Sequence, residues 1–136
     1  VQSEIDPSYF DKTELYQAWM FIHEQHDALL SARLLKDYPE FDFVRWHETA
    51  MDVMPKGINK LKGCQQVLQD AGFSIEQAIG FGDGLNDLEM LSGLGLGIAV
   101  GDAHPKLLAV ADRQAAAPHE DGIAKMLQQL KLEGVW

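Results

Sequence analysis

From residue 57 onward the chain alternates between helical spacing and short apolar runs, and this alternation limits its architecture more than any other feature. Residues 59–71 carry Leu61, Cys64, Val67, Leu68 and Ala71 at helical intervals, and Gly72 stops the pattern. Residues 77–81 read as a short buried strand, 88–94 as a helix and 96–100 as a second buried strand. A short helix over 105–110, a third strand over 112–115 and a closing helix over 121–132 complete the series. Strands and helices joined this way by short links predict a parallel sheet covered on both faces.

The residues before this point follow a different pattern. An aromatic-rich strand is expected over 16–22, and a helix over 27–36 with Ala28, Leu29, Ala32 and Leu35 on one side. Residues 41–46 and 49–54 read as two short strands in a hairpin around His47 and Glu48, after which Pro55 and Gly57 punctuate the chain. The division expected is a small α+β piece over 1–54 and an α/β piece over 55–136. Trp19, Phe21, Phe43 and Trp46 are expected to pack the small piece.

Charge and cysteine content exclude several classes of function. A net charge of −10 over 136 residues repels nucleic acid and acidic membranes, and the densest basic group, Lys56, Lys60 and Lys62, is too small to offset it. With 46% apolar residues the chain can build a packed core, while its longest weakly polar run, residues 91–100, is too short to span a bilayer. No signal-peptide pattern is visible. Cys64 is the single cysteine, which rules out an internal disulfide framework and favours a reducing, cytoplasmic setting.

The chemistry concentrates in GFGDGLNDLEML, residues 80–91. Asp83 follows the apolar run of 77–81, at the carboxyl end of a predicted strand, where open α/β sheets bind ligands. Gly82 and Gly84 flank it and allow a sharp turn and close approach of a ligand. Asn86 suits the N-cap of the next helix, with Glu89 three residues on in a capping-box position, and Asp87 falls in the first turn. Asp83 and Asp87 would then face one crevice, and oxygen-only ligands with retained waters suit Mg²⁺. An EF-hand is excluded, because Leu85 stands where a ligand is required. The same residues also make an ordinary metal-free strand–turn–helix corner. Lys60 opens the helix of 59–71, where a cation opposes the helix dipole; it is either a solvated surface lysine or one retained for an anion such as phosphate. Metal carboxylates and an anion-binding lysine on neighbouring helix starts make a phosphoryl-transfer constellation.

These residues resemble the C-terminal half of the haloacid dehalogenase (HAD) superfamily, in particular Cof-type phosphatases with a C2 cap. PKGINK looks like the segment ending in the motif III lysine, here Lys60, and GFGDGLNDLEML looks like motif IV, with Asp83 and Asp87 as its acidic pair and Asn86 beside them. GIAVGDAHPKLLAVAD and PHEDGIAKML resemble the family's tail. The likeness covers about 54–130 by motif, and residues 1–53 only by their α/β pattern. Asp102 departs from it, since many relatives carry Asn there, so any phosphate-side contact from that position is not expected to carry over.

The resemblance implies a partial Rossmann-like core preceded by part of an α+β cap, and a Mg²⁺-dependent hydrolase of a small phosphorylated metabolite. Asp83 would help to hold Mg²⁺ and Asp87 would support the metal site through water or hydrogen bonds. Lys60 would neutralise the phosphoryl or aspartyl group, with Asn86 on the phosphate side. In the family an N-terminal Asp attacks phosphorus, and a second Asp two residues later acts as acid and base. No matching DxD is found: EIDPSYFD offers Asp6, but Pro7 follows and Ser8 occupies the acid position. No motif II Ser or Thr can be placed either. The expectation is a chain that begins inside something longer and is inactive by itself. Its partners would be the phosphorylated substrate and either the missing N-terminal half or a second copy, met along an open sheet edge. A non-catalytic Mg²⁺- or phosphate-binding module, or a subunit-interaction module, is the alternative.

Other features carry less. The glycines of GLGLGIAVG follow a helix and precede a strand, the reverse of the dinucleotide-binding order. His23 and His26 lack a third ligand and read as surface residues. His104, followed by Pro105, reads as a helix start, and His119 falls in a loop.

Overall fold

Strands rich in large apolar residues build the first sheet. β1 (Ala18–Phe21) and β2 (Phe41–His47) both pair antiparallel with β3 (Ala50–Pro55), in the order β1-β3-β2. The computed structural model describes residues 8, 14 and 16–135, so Asp6 and its DxD comparison lie outside the described residues. Two compact units make up the chain, Val1–Gly57 and Ile58–Trp136.

In the smaller unit, α1 (Asp27–Asp37) covers one face of the sheet, where Leu30 and Leu34 meet Phe43 and Met51 around a cavity of about 100 Å³. Arg45 ties this layer together. Its guanidinium grips both carboxylate oxygens of Asp27, at the start of α1, and donates to the carbonyls of Ile22 at 3.0 Å and His47 at 2.9 Å. The strand bulges between Arg45 and His47, which increases the local twist there.

The hydrogen bond from Arg45, reinforced by its charge, holds the Asp27 carboxyl below the usual aspartate range, against a smaller opposing effect of burial. A carboxyl whose pKa is depressed by folding contributes stability that is present above its unfolded pKa and lost as pH falls through its folded value. Acid titration of the unfolding midpoint from pH 7 to pH 3 is therefore expected to fall more steeply for the native chain than for Asp27→Asn. Parallel curves would remove the pair from the account.

The aromatic residues correct one expectation. Phe43 faces α1, whereas Trp19, Phe21 and Trp46 belong to the opposite face and are 63%, 75% and 43% exposed. Strand residues alternate between faces, and the sequence does not say which face a helix will cover.

In the larger unit the expected parallel sheet is present. β4 (Ile79–Gly82), β5 (Leu96–Val100) and β6 (Arg113–Ala115) pair in the order β4-β5-β6. On one face, Ala99 packs with Leu91 of α3 (Leu88–Gly93) and Leu107 of α4 (Pro105–Leu108). On the other face, Ile98 packs with Met126 and Leu130 of α5 (Gly122–Leu132). Four of the five residues of β5 are buried, as expected for a central strand.

α2 (Lys60–Ala71) has a well-specified start and stop. The Asn59 side chain accepts the Lys62 N–H at 3.0 Å, and Gly72 closes the helix at φ 76°, a conformation that favours glycine. The burial of α2 is incomplete. None of its residues is fully buried, Val67 is 67% exposed, and an open groove of about 460 Å³ runs between α2, β4 and α3 past Cys64, Leu68, Ile79 and Leu94. Among the described residues, β4 is paired on one side only.

Candidate functional site

The corner after β4 is built around the carboxylate of Asp87. This side chain is 5% exposed. Its Oδ2 accepts the backbone N–H of Asp83 at 3.0 Å and that of Gly84 at 3.1 Å, and its Oδ1 takes the ammonium of Lys60. One carboxylate thus closes the loop and receives a cation from the first turn of α2.

Gly82 makes this possible. A Cβ there would lie 2.6 Å from Asp87 Cβ and 2.7 Å from its Oδ2. The expectation that Gly82 admits a ligand is corrected: Asp87 itself occupies that space. Neither Gly82 nor Gly84 has a positive φ, so here glycine supplies room rather than conformational freedom.

The role expected of Asn86 as helix N-cap is also corrected. Leu85–Asp87 forms a 3₁₀ turn ahead of α3, and Asp87 takes the N-cap position of α3 without a side-chain capping bond. The loop turns back on itself, so the N–H groups needing an acceptor are those of residues 83 and 84, and Asp87 reaches them where Asn86 does not. Glu89 completes no capping box with Asn86.

Asp83 is in a different environment. It is exposed, and its carboxylate makes no hydrogen bond or ion pair with a described residue. Its backbone is held at both ends, by the N–H bond to Asp87 and by the His104 N–H donating to its carbonyl at 3.1 Å. His104 is the helix start expected, with Nδ1 accepting the Lys106 N–H at 3.2 Å. The sequence reading missed its bond to Asp83; the signal available was His-Pro one loop beyond the next strand, too general to mark a contact. Asp102 is exposed beside a polar cleft with Gln114 and Glu120. His23 and His26 are exposed, and His23 caps the Glu24–His26 turn.

A hydrated Mg²⁺ takes one or two carboxylates and keeps several waters. Asp83 fits that requirement, with a free oxygen donor on a fixed backbone. Asp87 spends both oxygens on Lys60 and the loop. Among the described residues no three His, Cys, Asp or Glu side chains form a metal cluster. Lys60, whose side chain is 49% exposed, keeps part of its ammonium available to an anion. The corner therefore offers one free carboxylate, one buried carboxylate and a shared cation.

The sequence matches the family model for haloacid dehalogenase-like hydrolases over residues 1–127. That span takes in the small unit, beyond the motif-bearing stretch. The Bacillus subtilis (strain 168) protein "Putative phosphatase YkrA" is 38% identical over 129 residues, covering 95% of this chain and 48% of the relative. A solved structure of a hypothetical protein from Geobacillus kaustophilus HTA426 superposes with a TM-score of 0.77 at 38% identity, covering 94% of this chain and 48% of that one. The HAD subclass IIB sugar phosphatase BT4131 gives a TM-score of 0.76 at 33% identity, covering 91% and 45%. The chain thus spans about half the length of these relatives. Among the described residues, no helix is long and apolar enough to cross a membrane.

Proposed function

Because the chain belongs to the haloacid dehalogenase-like hydrolase family, we propose that it is the C-terminal part of a Mg²⁺-dependent phosphatase for a small phosphorylated metabolite such as a sugar phosphate, and that it does not turn over substrate alone. The observation that carries this reading is the Lys60 ammonium resting on the buried Asp87 carboxylate, beside the free carboxylate of Asp83. Asp83 would hold the metal. Asp87 would act through the other two, fixing the loop and aiming Lys60, a more indirect metal role than a carboxylate ligand. Lys60 would face the anionic phosphoryl group, with Asn86 on the same side. A bound Mg²⁺ would supply positive charge to the phosphoryl oxygens, and charge placed in advance where it develops is a leading source of rate enhancement. A cytoplasmic location belongs to the same reading, supported by the unpaired Cys64.

The nucleophile would come from a partner. The one-sided β4 and the uncovered groove against α2 support a partner that adds a strand beside β4 and covers that groove. The N-terminal half of a relative is the first choice and a second copy of this chain the other. The test is to mix the purified chain with the separately produced N-terminal half of the Bacillus subtilis relative and follow p-nitrophenyl phosphate hydrolysis with Mg²⁺. No turnover from the chain alone and turnover after mixing are expected; hydrolysis by the highly pure chain alone would overturn its dependence on an outside nucleophile. In parallel, Asp83→Asn is expected to reduce the heat of Mg²⁺ binding in calorimetric titration, and unchanged heats would reject its metal role. The same open edge favours a second reading, a non-catalytic binding or subunit-interaction module. Association without turnover would select it.

A further inference from the structure

The uncovered face of the small sheet carries a ligand constellation that the phosphatase reading does not use. Trp19 stands directly opposite Asp52 in the β1–β3 register, so the two share a face. The ring of Trp19 meets that of Phe21 at 6.4 Å and 84°, and that of Trp46 at 6.2 Å and 62°. An edge-to-face contact covers part of one ring's face, and all three residues nonetheless remain exposed. At their base lies the carboxylate of Asp52, 6% exposed. Its Oδ1 accepts the Trp46 indole N–H at 3.0 Å, its one hydrogen bond to a described residue, and it has no ion pair among the described residues.

The charge balance of this face is one-sided. The same alternation adds Asp42, whose carboxylate accepts the Gly57 N–H. Neither Lys nor Arg occupies this face in the described register; His47, opposite Ala50 after the bulge, sets its ring 6.0 Å from that of Trp46 and accepts the Thr49 N–H at 3.3 Å, and Arg45 belongs to the other side with Asp27. A carboxylate withdrawn from water with a single neutral donor is complemented best by a cation. Ring faces attract the same kind of charge through their quadrupole. A sugar would need several donors as well as acceptors from the protein; of the two indole N–H groups on this face, that of Trp46 already serves Asp52 and that of Trp19 is left. We infer that Trp19, Phe21 and Trp46 around Asp52 form a binding site for a small organic ammonium ion. This inference needs neither a metal nor a second protein.

Choline is a suitable probe, with its uncharged analogue, in which carbon replaces nitrogen, as the control. Titrations of the full chain are followed by the Trp46 indole N–H in nitrogen-edited NMR. Choline should move that resonance saturably, and the uncharged analogue should bind at least about tenfold more weakly. Asp52→Asn should lower choline affinity about tenfold and leave the analogue unchanged, whereas Trp19→Ala should weaken both. Equal binding of choline and analogue would reduce the site to an apolar patch and overturn the inference, as would the absence of a saturable response or an equal response to glucose. If Asp52→Asn fails to melt cooperatively, the comparison of choline with its analogue on the native chain decides the matter alone.

Discussion

Gly97→Ala is expected to lower the stability of the larger unit by about 3 kcal/mol or more and its melting temperature by roughly 10–20 °C. A Cβ at this position would lie 2.0 Å from the Leu91 carbonyl oxygen and 2.7 Å from its carbonyl carbon. Both obstacles are backbone, so no side-chain rotation relieves the overlap. Leu91 is fully buried with Ala99, Ala103 and Leu107, so α3 cannot retreat without opening that cluster. The backbone of Gly97 is also fixed on its other side, donating to Asp112 Oδ2 at 2.7 Å and accepting the Asp112 N–H at 2.8 Å. Gly63→Ala is the matched control: nothing lies within 4 Å of its Cβ position, and replacing an exposed helical glycine should raise stability by about 0.5–1 kcal/mol. Thermal denaturation followed by circular dichroism measures both. Equal melting temperatures for Gly97→Ala and the native chain would contradict the close approach of α3 to β5.

The contrast between these glycines shows what a sequence displays and what it hides. Helix and strand periods were legible wherever an element ends on chemistry of its own. Asn59 and Gly72 mark the limits of α2, and the apolar run of β5 has the bounds read from sequence. β4 starts at Ile79, later than its apolar pattern, because Ile75–Gln77 closes into a 3₁₀ turn capped between Ser74 and Gln77. That turn competes with the strand through local hydrogen bonds. Contacts between distant segments were not legible. The crowding of Gly97 by Leu91, and of Gly82 by Asp87, depends on how two elements approach. The choice of face in the small sheet likewise depends on where α1 lies. At the site, residue types and spacing brought Lys60, Asp83 and Asp87 forward together. The structure separates the acids into an exposed one and a buried, fully engaged one, a difference set by loop geometry.

That asymmetry predicts unequal and coupled effects at the site. Asp87→Ala removes the acceptor of two backbone N–H groups and the partner of Lys60, and should cost about 2–3 kcal/mol of stability, mostly from the orphaned amides. Lys60→Ala should cost less than about 1 kcal/mol, because its side chain is 49% exposed and Asp87 keeps both backbone donors. Activity should order differently. In the mixture reconstituted with the N-terminal half of the Bacillus subtilis relative, the proposed function predicts that either change lowers kcat by about 10²- to 10³-fold. Together they should lower it little further, because under the proposed function Asp87 would act through Lys60 and through the loop carrying Asp83. Asp87→Asn separates the two duties: it preserves an oxygen acceptor for the loop and removes the charge that aims Lys60. It should therefore recover most of the stability lost in Asp87→Ala and little of the kcat. Melting temperatures of the chain, with kcat and KM of the reconstituted mixture, test this ordering. Independent, multiplicative losses in the double variant would mean that Lys60 and Asp87 serve separate steps, and the shared-cation account of the corner would fail.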